Sequence, residues 1–137
     1  MQPSGILETI LYAEDLDATE RFYADVLGMT PFSKLAGRQL FYRCGDQVLL
    51  IFNPAMTEKP LPPTALPVPP HGAKGPGHIC FKASAAEIDA WRQRLVVKGV
   101  VIESDFIWPA SGGRSIYFRD PTGNCLEFAE PKIWGLL

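Results

Sequence analysis

The sequence predicts an α+β fold: two βαβββ modules forming a cupped mixed sheet around a cleft for a metal or a small ligand. Three observations predict it. The first is an internal repeat. Gly37-Arg38-Gln39-Leu40-Phe41-Tyr42-Arg43 and Gly113-Arg114-Ser115-Ile116-Tyr117-Phe118-Arg119 both read glycine, arginine, polar, aliphatic, aromatic, aromatic, arginine. The second is that each copy runs into a turn signal and then an apolar strand ending at a proline, Pro54 in one half and Pro131 in the other. The third is that each half opens with a strand and then a helix.

Taken in chain order, Ile6 to Ala13 alternates and reads as a strand. Asp17 with Glu20 resembles a capping box that opens a helix carrying Phe22, Tyr23, Val26 and Leu27 on one face, ending at Gly28. The strand in the first repeat copy turns at Cys44-Gly45-Asp46 into Gln47 to Phe52. In the second half, Gly77 to Ala83 is a strand. Ser84 with Glu87 caps a helix whose inward residues are Ile88, Trp91 and Leu95, ending at Gly99. The strand in the second copy turns at Asp120 to Asn124 into Cys125 to Ala129. Between the halves, Pro54 to Pro76 holds eight of the thirteen prolines, so it predicts a stiff connector that forms neither a helix nor a central strand. The expectation is one domain over 1–137, with module 1 at about 5–54, the link at about 54–76 and module 2 at about 77–131.

Composition narrows the partners. With 47% hydrophobic and 20% charged residues and a net charge of -2, the chain offers no basic surface for nucleic acid or anionic membrane. It has no apolar run long enough to span a bilayer and no signal-peptide pattern at Met1 to Gly5. Cys44, Cys80 and Cys125 are odd in number and show no CxxC spacing, so they read as small buried hydrophobes in a reducing, cytoplasmic protein.

Strand parity then assigns faces. Helices need an apolar floor, which Ile79, Phe81, Ile116, Phe118, Leu126 and Phe128 supply. The opposite face carries His78, Cys80 and Lys82, then Ser115, Tyr117 and Arg119, then Cys125, Glu127 and Ala129. The repeat runs 70 residues apart at the first strands and 77 at the last, which sets Glu8 over His78 and Leu50 over Glu127. Taken singly, a glutamate or histidine on a sheet face is ordinary. Three ligand-type side chains at repeat-equivalent positions (Glu8, His78 and Glu127) point to one divalent cation. His71, within the connector, reads as an exposed loop residue.

Glu8-Thr9-Ile10-Leu11-Tyr12 with Arg21-Phe22-Tyr23 and Val26-Leu27-Gly28, Gly77-His78-Ile79, and Phe118-Arg119-Asp120-Pro121-Thr122-Gly123-Asn124 running into Leu126-Glu127-Phe128 together resemble the vicinal-oxygen-chelate superfamily, which includes glyoxalases, bleomycin-resistance proteins and extradiol dioxygenases. The resemblance covers nearly the whole chain outside the link. It implies that Glu8, His78 and Glu127 are the metal ligands. It also implies a homodimer whose sites are shared, Glu8 coming from one subunit and His78 with Glu127 from the other.

Two carboxylates and an imidazole suit Mn²⁺, Fe²⁺, Ni²⁺, Zn²⁺ or Mg²⁺. The resemblance implies a metal-dependent lyase, isomerase or thiol-transferase acting on a small oxygen-chelating molecule. Leu50 weakens glyoxalase I, because a carboxylate that helps move the proton is missing. A dioxygenase is weakened by the lack of a second histidine ligand. Tyr117 would donate a proton or hydrogen bond to an oxyanion, with Glu127 beside it. Phe41, Phe52, Trp108, Ser115, Tyr117 and Arg119 would line the substrate pocket, although arginines in the repeat could equally pair with their neighbouring turns. The alternative is a metal-free, small-molecule or drug-binding resistance protein using the same aromatic groove.

Overall fold

A computed structural model of the chain describes residues 1–137. The first half comprises β1 (Glu8–Tyr12), α1 (Leu16–Asp25), β2 (Ser33–Leu35), β3 (Gln39–Cys44), β4 (Gln47–Phe52) and a short α2 (Pro54–Thr57). The second comprises β5 (His78–Lys82), α3 (Ala85–Val97), β6 (Ser104–Ile107), β7 (Arg114–Arg119) and β8 (Cys125–Ala129), with a 3-10 turn after it at Pro131–Trp134. The chain divides into two compact units, Met1–Gly75 and Pro76–Leu137.

Each unit holds its own four-stranded mixed sheet, in the order β1-β4-β3-β2 and β5-β8-β7-β6. The first strand of each pairs in parallel with the last, and the other pairings are antiparallel. The registers coincide: Ile10 stands beside Leu50 as Cys80 stands beside Glu127, and Phe41 faces Leu50 as Tyr117 faces Glu127. A one-residue slip would exchange the faces of a strand, so the shared register carries the repeat through to side-chain direction.

The floors are as parity requires. Leu11, Leu40, Tyr42, Leu49 and Ile51 are buried in the first unit, where α1 packs on β3. Ile116, Phe118, Leu126 and Phe128 are buried in the second, where α3 packs on β7 through Ile88 and Leu95. Trp91 of α3 stacks on Phe128 with ring centroids 4.4 Å apart, so it covers the core without being enclosed by it. Each such burial stabilises by roughly 1.5–3 kcal/mol relative to exposure.

Three expectations are corrected. The cap of α1 is Asp15, whose carboxylate accepts the Ala18 N–H at 2.9 Å, and not Asp17. Leu16 must enter the core and so belongs to the first turn, which moves the cap one residue ahead of it. Glu20, the other half of the expected box, pairs with Lys34 at 2.6 Å. The Ser84–Glu87 box forms as read, the Glu87 carboxylate accepting the Ser84 N–H at 2.7 Å. The connector does contain a helical turn, α2, because Asn53 caps it and Pro54 occupies a first-turn position where no N–H is needed. The cysteines are free but not buried: Cys80, exposed, and Cys125, half-buried, lie on the sheet face that the helix leaves open, and Cys44 is exposed where β3 ends at its turn.

Glycine is required at two kinds of place. Gly28 and Gly99 end α1 and α3 in the left-handed region, with φ of 67° and 71°. Gly113, the first residue of the second repeat copy, is different: a Cβ there would collide with the Ile133 side chain, which the 3-10 turn lays over the start of β7.

Candidate metal and substrate site

The open face of the second sheet brings together His78, Glu127 and Tyr117. His78 begins β5, and its Nδ1 lies 2.9 Å from the Cys125 carbonyl oxygen on β8. A carbonyl only accepts, so Nδ1–H donates and the other ring nitrogen, Nε2, is turned towards Glu127. Nε2 stands 3.3 Å from Glu127 Oε2. In the neutral imidazole that geometry sets a lone pair against a carboxylate oxygen. The arrangement is favourable only with a cation, proton or metal, between them.

Glu127 sits in the middle of β8 and is only 4% exposed. Its second oxygen, Oε1, is buried with no hydrogen-bond partner. Buried polar groups are nearly always paired, and an unpaired carboxylate oxygen is costly. Cys80 and Tyr117 flank Glu127 on the two neighbouring strands. Partial burial, and after it the adjacent Glu127 carboxylate, pushes both the Tyr117 phenol and the Cys80 thiol up to about 12. Both therefore keep their protons at neutral pH and face Glu127 as neutral groups. Around them the rings form a ladder: His78 stacks on Tyr117 at 6.3 Å, Tyr117 lies parallel to Phe106 at 6.0 Å, and Phe106 tilts against Trp108 at 4.8 Å.

The remaining residues expected in the second half have partners of their own. The Trp108 indole N–H donates to Ser115 Oγ at 2.8 Å, and Ser115 is fully buried beneath it. Arg119 is bound by Glu103 at 2.7 Å and donates to the Gly123 carbonyl at 3.1 Å, so its charge is spent on a carboxylate and its own turn. Arg114 is likewise held by Asp105 at 2.8 Å and by Asp89.

The open face of the first sheet carries Glu8 beside Val48, Ile10 beside Leu50, and Tyr12 beside Phe52. Glu8 is exposed at the start of β1, whereas Leu50 and Phe52 are each 7% exposed. Phe41 meets Phe52 edge-on at 5.4 Å. His71 is not the exposed loop residue expected of the connector. It is half-buried, with Nδ1 2.6 Å from the Tyr12 hydroxyl and its ring edge-on to Phe52 at 5.0 Å. Nothing local in a proline-rich segment signals such a docking. Cys80 was more legible, since parity already set it on the face of Glu127.

Within the single chain, no three His, Cys, Asp or Glu side chains cluster closely enough to hold a metal ion. The donors themselves fit one: an imidazole held in the ligating tautomer, a carboxylate oxygen 3.3 Å from it, and a second carboxylate oxygen, buried and unpaired. No helix is long and apolar enough to cross a membrane.

Comparison with known proteins bears on this geometry. Residues 5–128 match the family model described as the glyoxalase/bleomycin resistance protein/dioxygenase superfamily. Among solved structures, the chain is 44% identical to lactoylglutathione lyase from Agrobacterium tumefaciens, with a TM-score of 0.93 over 99% of this chain and 100% of that one. It is 25% identical to an integron cassette protein from the mobile metagenome of V. cholerae, with a TM-score of 0.70 over 96% and 98% of the two chains. A glyoxalase/bleomycin resistance protein/dioxygenase from Nocardioides, 24% identical over 95% and 85% of the chains, shares the fold with a TM-score of 0.72. No curated protein matches the sequence.

Proposed function

Because the chain belongs to the glyoxalase/bleomycin resistance protein/dioxygenase superfamily, we propose that it is a divalent-metal-dependent lyase or isomerase whose substrate presents two adjacent oxygens. Lactoylglutathione, a 2-hydroxy thioester, is the first such molecule to test, since a 44% identical chain is a lactoylglutathione lyase. The observation that carries the reading is the His78–Glu127 pair, with its facing lone pairs and the buried, unpaired Glu127 Oε1. A metal-free binding protein would satisfy that pair only with a proton on His78 Nε2, and Glu127 Oε1 would still be buried without a hydrogen bond.

Glu8, His78 and Glu127 would hold the cation, their two negative charges balancing its two positive ones. When bound, it would supply a Lewis acid for negative charge developing on the substrate oxygens. His78 is oriented for this by its Nδ1–H bond to the Cys125 carbonyl. Tyr117, kept as a neutral phenol, would donate a hydrogen bond to a substrate oxygen as charge grows there. Phe106 and Trp108 would give the substrate's apolar portion a flat wall. We further propose a homodimer that shares its sites, with Glu8 supplied by one copy and His78 and Glu127 by the other.

Elemental analysis of protein purified without chelator, combined with lactoylglutathione turnover before and after chelation, tests the reading. About one divalent ion per chain and chelator-sensitive turnover are expected. His78→Ala should lose both while remaining folded. A metal-free protein whose melting temperature ignores Mn²⁺, Ni²⁺, Zn²⁺ and Fe²⁺, or tight drug binding indifferent to chelator, would overturn it. Sedimentation showing only monomer at micromolar concentration would refute the shared site.

A further inference from the structure

Glu127 and Leu50 occupy the same place in the repeat, and so do the residues that flank them. Ile10 on β1 and Phe41 on β3 stand beside Leu50, whereas Cys80 on β5 and Tyr117 on β7 stand beside Glu127. Ile10 and Phe41 have no polar hydrogen to give. Cys80 has an S–H and Tyr117 an O–H. Where the second sheet gains an acid, each neighbouring strand gains a donor with it. Three changes at one spot of an otherwise shared register point to a common purpose.

The two oxygens of Glu127 divide the work. Oε2 lies 3.3 Å from His78 Nε2, so a cation held by that nitrogen meets Oε2. Oε1 is buried with no hydrogen-bond partner, and its share of the negative charge still needs a donor. Tyr117 is one candidate, but the Ser115 hydroxyl also hydrogen-bonds its phenol, and Ser115 is fixed in turn by the Trp108 indole N–H at 2.8 Å. Cys80 is the other. Its thiol makes a long contact of 3.8 Å with the Phe81 carbonyl oxygen of its own strand, and it has the Glu127 carboxylate within reach. Turning from the carbonyl to Oε1 exchanges a weak bond for a charge-assisted one.

We propose that Cys80 is a positioning residue for the cation: its S–H donates to Glu127 Oε1 and holds the carboxylate with Oε2 towards His78. Tyr117 Oη is thereby left for the substrate. The proposal rests on the metal-dependent reading above, and no covalent bond changes in it. Cys80 itself touches neither the cation nor the substrate, so its removal should weaken the site rather than abolish it.

Calorimetric titration of the chelator-stripped protein with Ni²⁺ and, separately, with Zn²⁺ tests this. Cys80→Val keeps the bulk, suits a strand and has no donor. It should bind each ion about 10-fold more weakly than the wild type, with the melting temperature of the metal-free protein no lower. Cys80→Ser, which keeps a donor of similar size, should bind about as tightly as the wild type. In infrared spectra, ion binding should move one S–H stretching band of the wild type to lower frequency, and Cys80→Ser should lack that band. Wild-type affinity in Cys80→Val, or S–H bands that do not move, would overturn the positioning role alone. A thiolate-to-metal absorption band with Cd²⁺ that vanishes in Cys80→Ser would make Cys80 a ligand and overturn it as well. Failure of the wild type to bind Ni²⁺, Zn²⁺, Mn²⁺ or Fe²⁺ would overturn the metal-dependent reading and this role with it.

Discussion

The two sheets agree in register and differ in what their open faces carry. At the central position of the last strand, the first half has Leu50 and the second has Glu127. One strand over, Phe41 in the first half corresponds to Tyr117 in the second. The helix-facing floors are nearly interchangeable, whereas the open faces are not: one is aromatic and covered by its own connector, the other carries an acid, an imidazole, a thiol and a phenol. Backbone pairing and floor packing fix the scaffold, and side chains on the far face are then free to change without disturbing either.

Experiments can break or sharpen this comparison. The largest effect should come from a floor. Phe118, fully buried and stacked on Phe128 at 5.7 Å, should cost about 3–5 kcal/mol when changed to Ala, as read by denaturant unfolding. A loss under about 1 kcal/mol would mean that the second floor is not a packed core. Next, Glu127→Leu makes the second face resemble the first. It removes a buried unpaired oxygen, so the metal-free protein should gain roughly 1–3 kcal/mol while losing any stabilisation by metal. Destabilisation in the absence of metal would show that the contacts of Glu127 with His78, Tyr117 and Cys80 outweigh the cost of its buried oxygen.

The Arg114–Asp105–Arg92 cluster belongs to the second half alone. Asp105 has its carboxyl held below the usual range, first by its hydrogen bonds to Arg114 and then by Arg92. A depressed folded-state value favours folding above the unfolded pKa, and that contribution is lost as pH falls through the folded one. Wild type should therefore exceed Asp105→Asn by about 1 kcal/mol at neutral pH. The gap should close with acidification below about pH 4. A gap independent of pH would assign the effect to packing. The smallest change is Tyr42→Phe, which gives the first floor the residue that the second has in Phe118. Tyr42 Oη is buried with no partner, so thermal melts should show unchanged or slightly raised stability, by at most about 1 kcal/mol. A clear loss would reveal a hidden hydrogen bond.

Much of this was legible in the sequence because period-two alternation and a duplicated motif report directly on pairing and on faces. His78 and Glu127 were placed on one face by parity, and Leu50 was recognised as their missing counterpart. What escaped depends on chain paths that no local pattern encodes. Asp15 caps α1 only because Leu16 is drawn into the core. His71 reaches Tyr12 only because its N–H donates to the Thr57 carbonyl and the connector's turns bring it back, and prolines advertise stiffness without direction. The exposure of Cys80 accords with parity, whereas Cys44 shares the parity of Leu40 and Tyr42 and is exposed because it ends β3.

The spacing of the last pairings has a consequence for synthesis on the ribosome. The first sheet has all its strands once Phe52 has emerged, so it can close while the rest of the chain is still being made. His78 must wait for the Cys125 carbonyl, 47 residues downstream, before its ring is held, and Glu127 arrives two residues later still. A truncated chain ending before β8 therefore contains every turn and helix of the repeat but no oriented imidazole. Because β8 lies between β5 and β7, premature termination before it would leave the second sheet without its central strand, and the His78–Glu127 pair can form only when the chain is nearly complete.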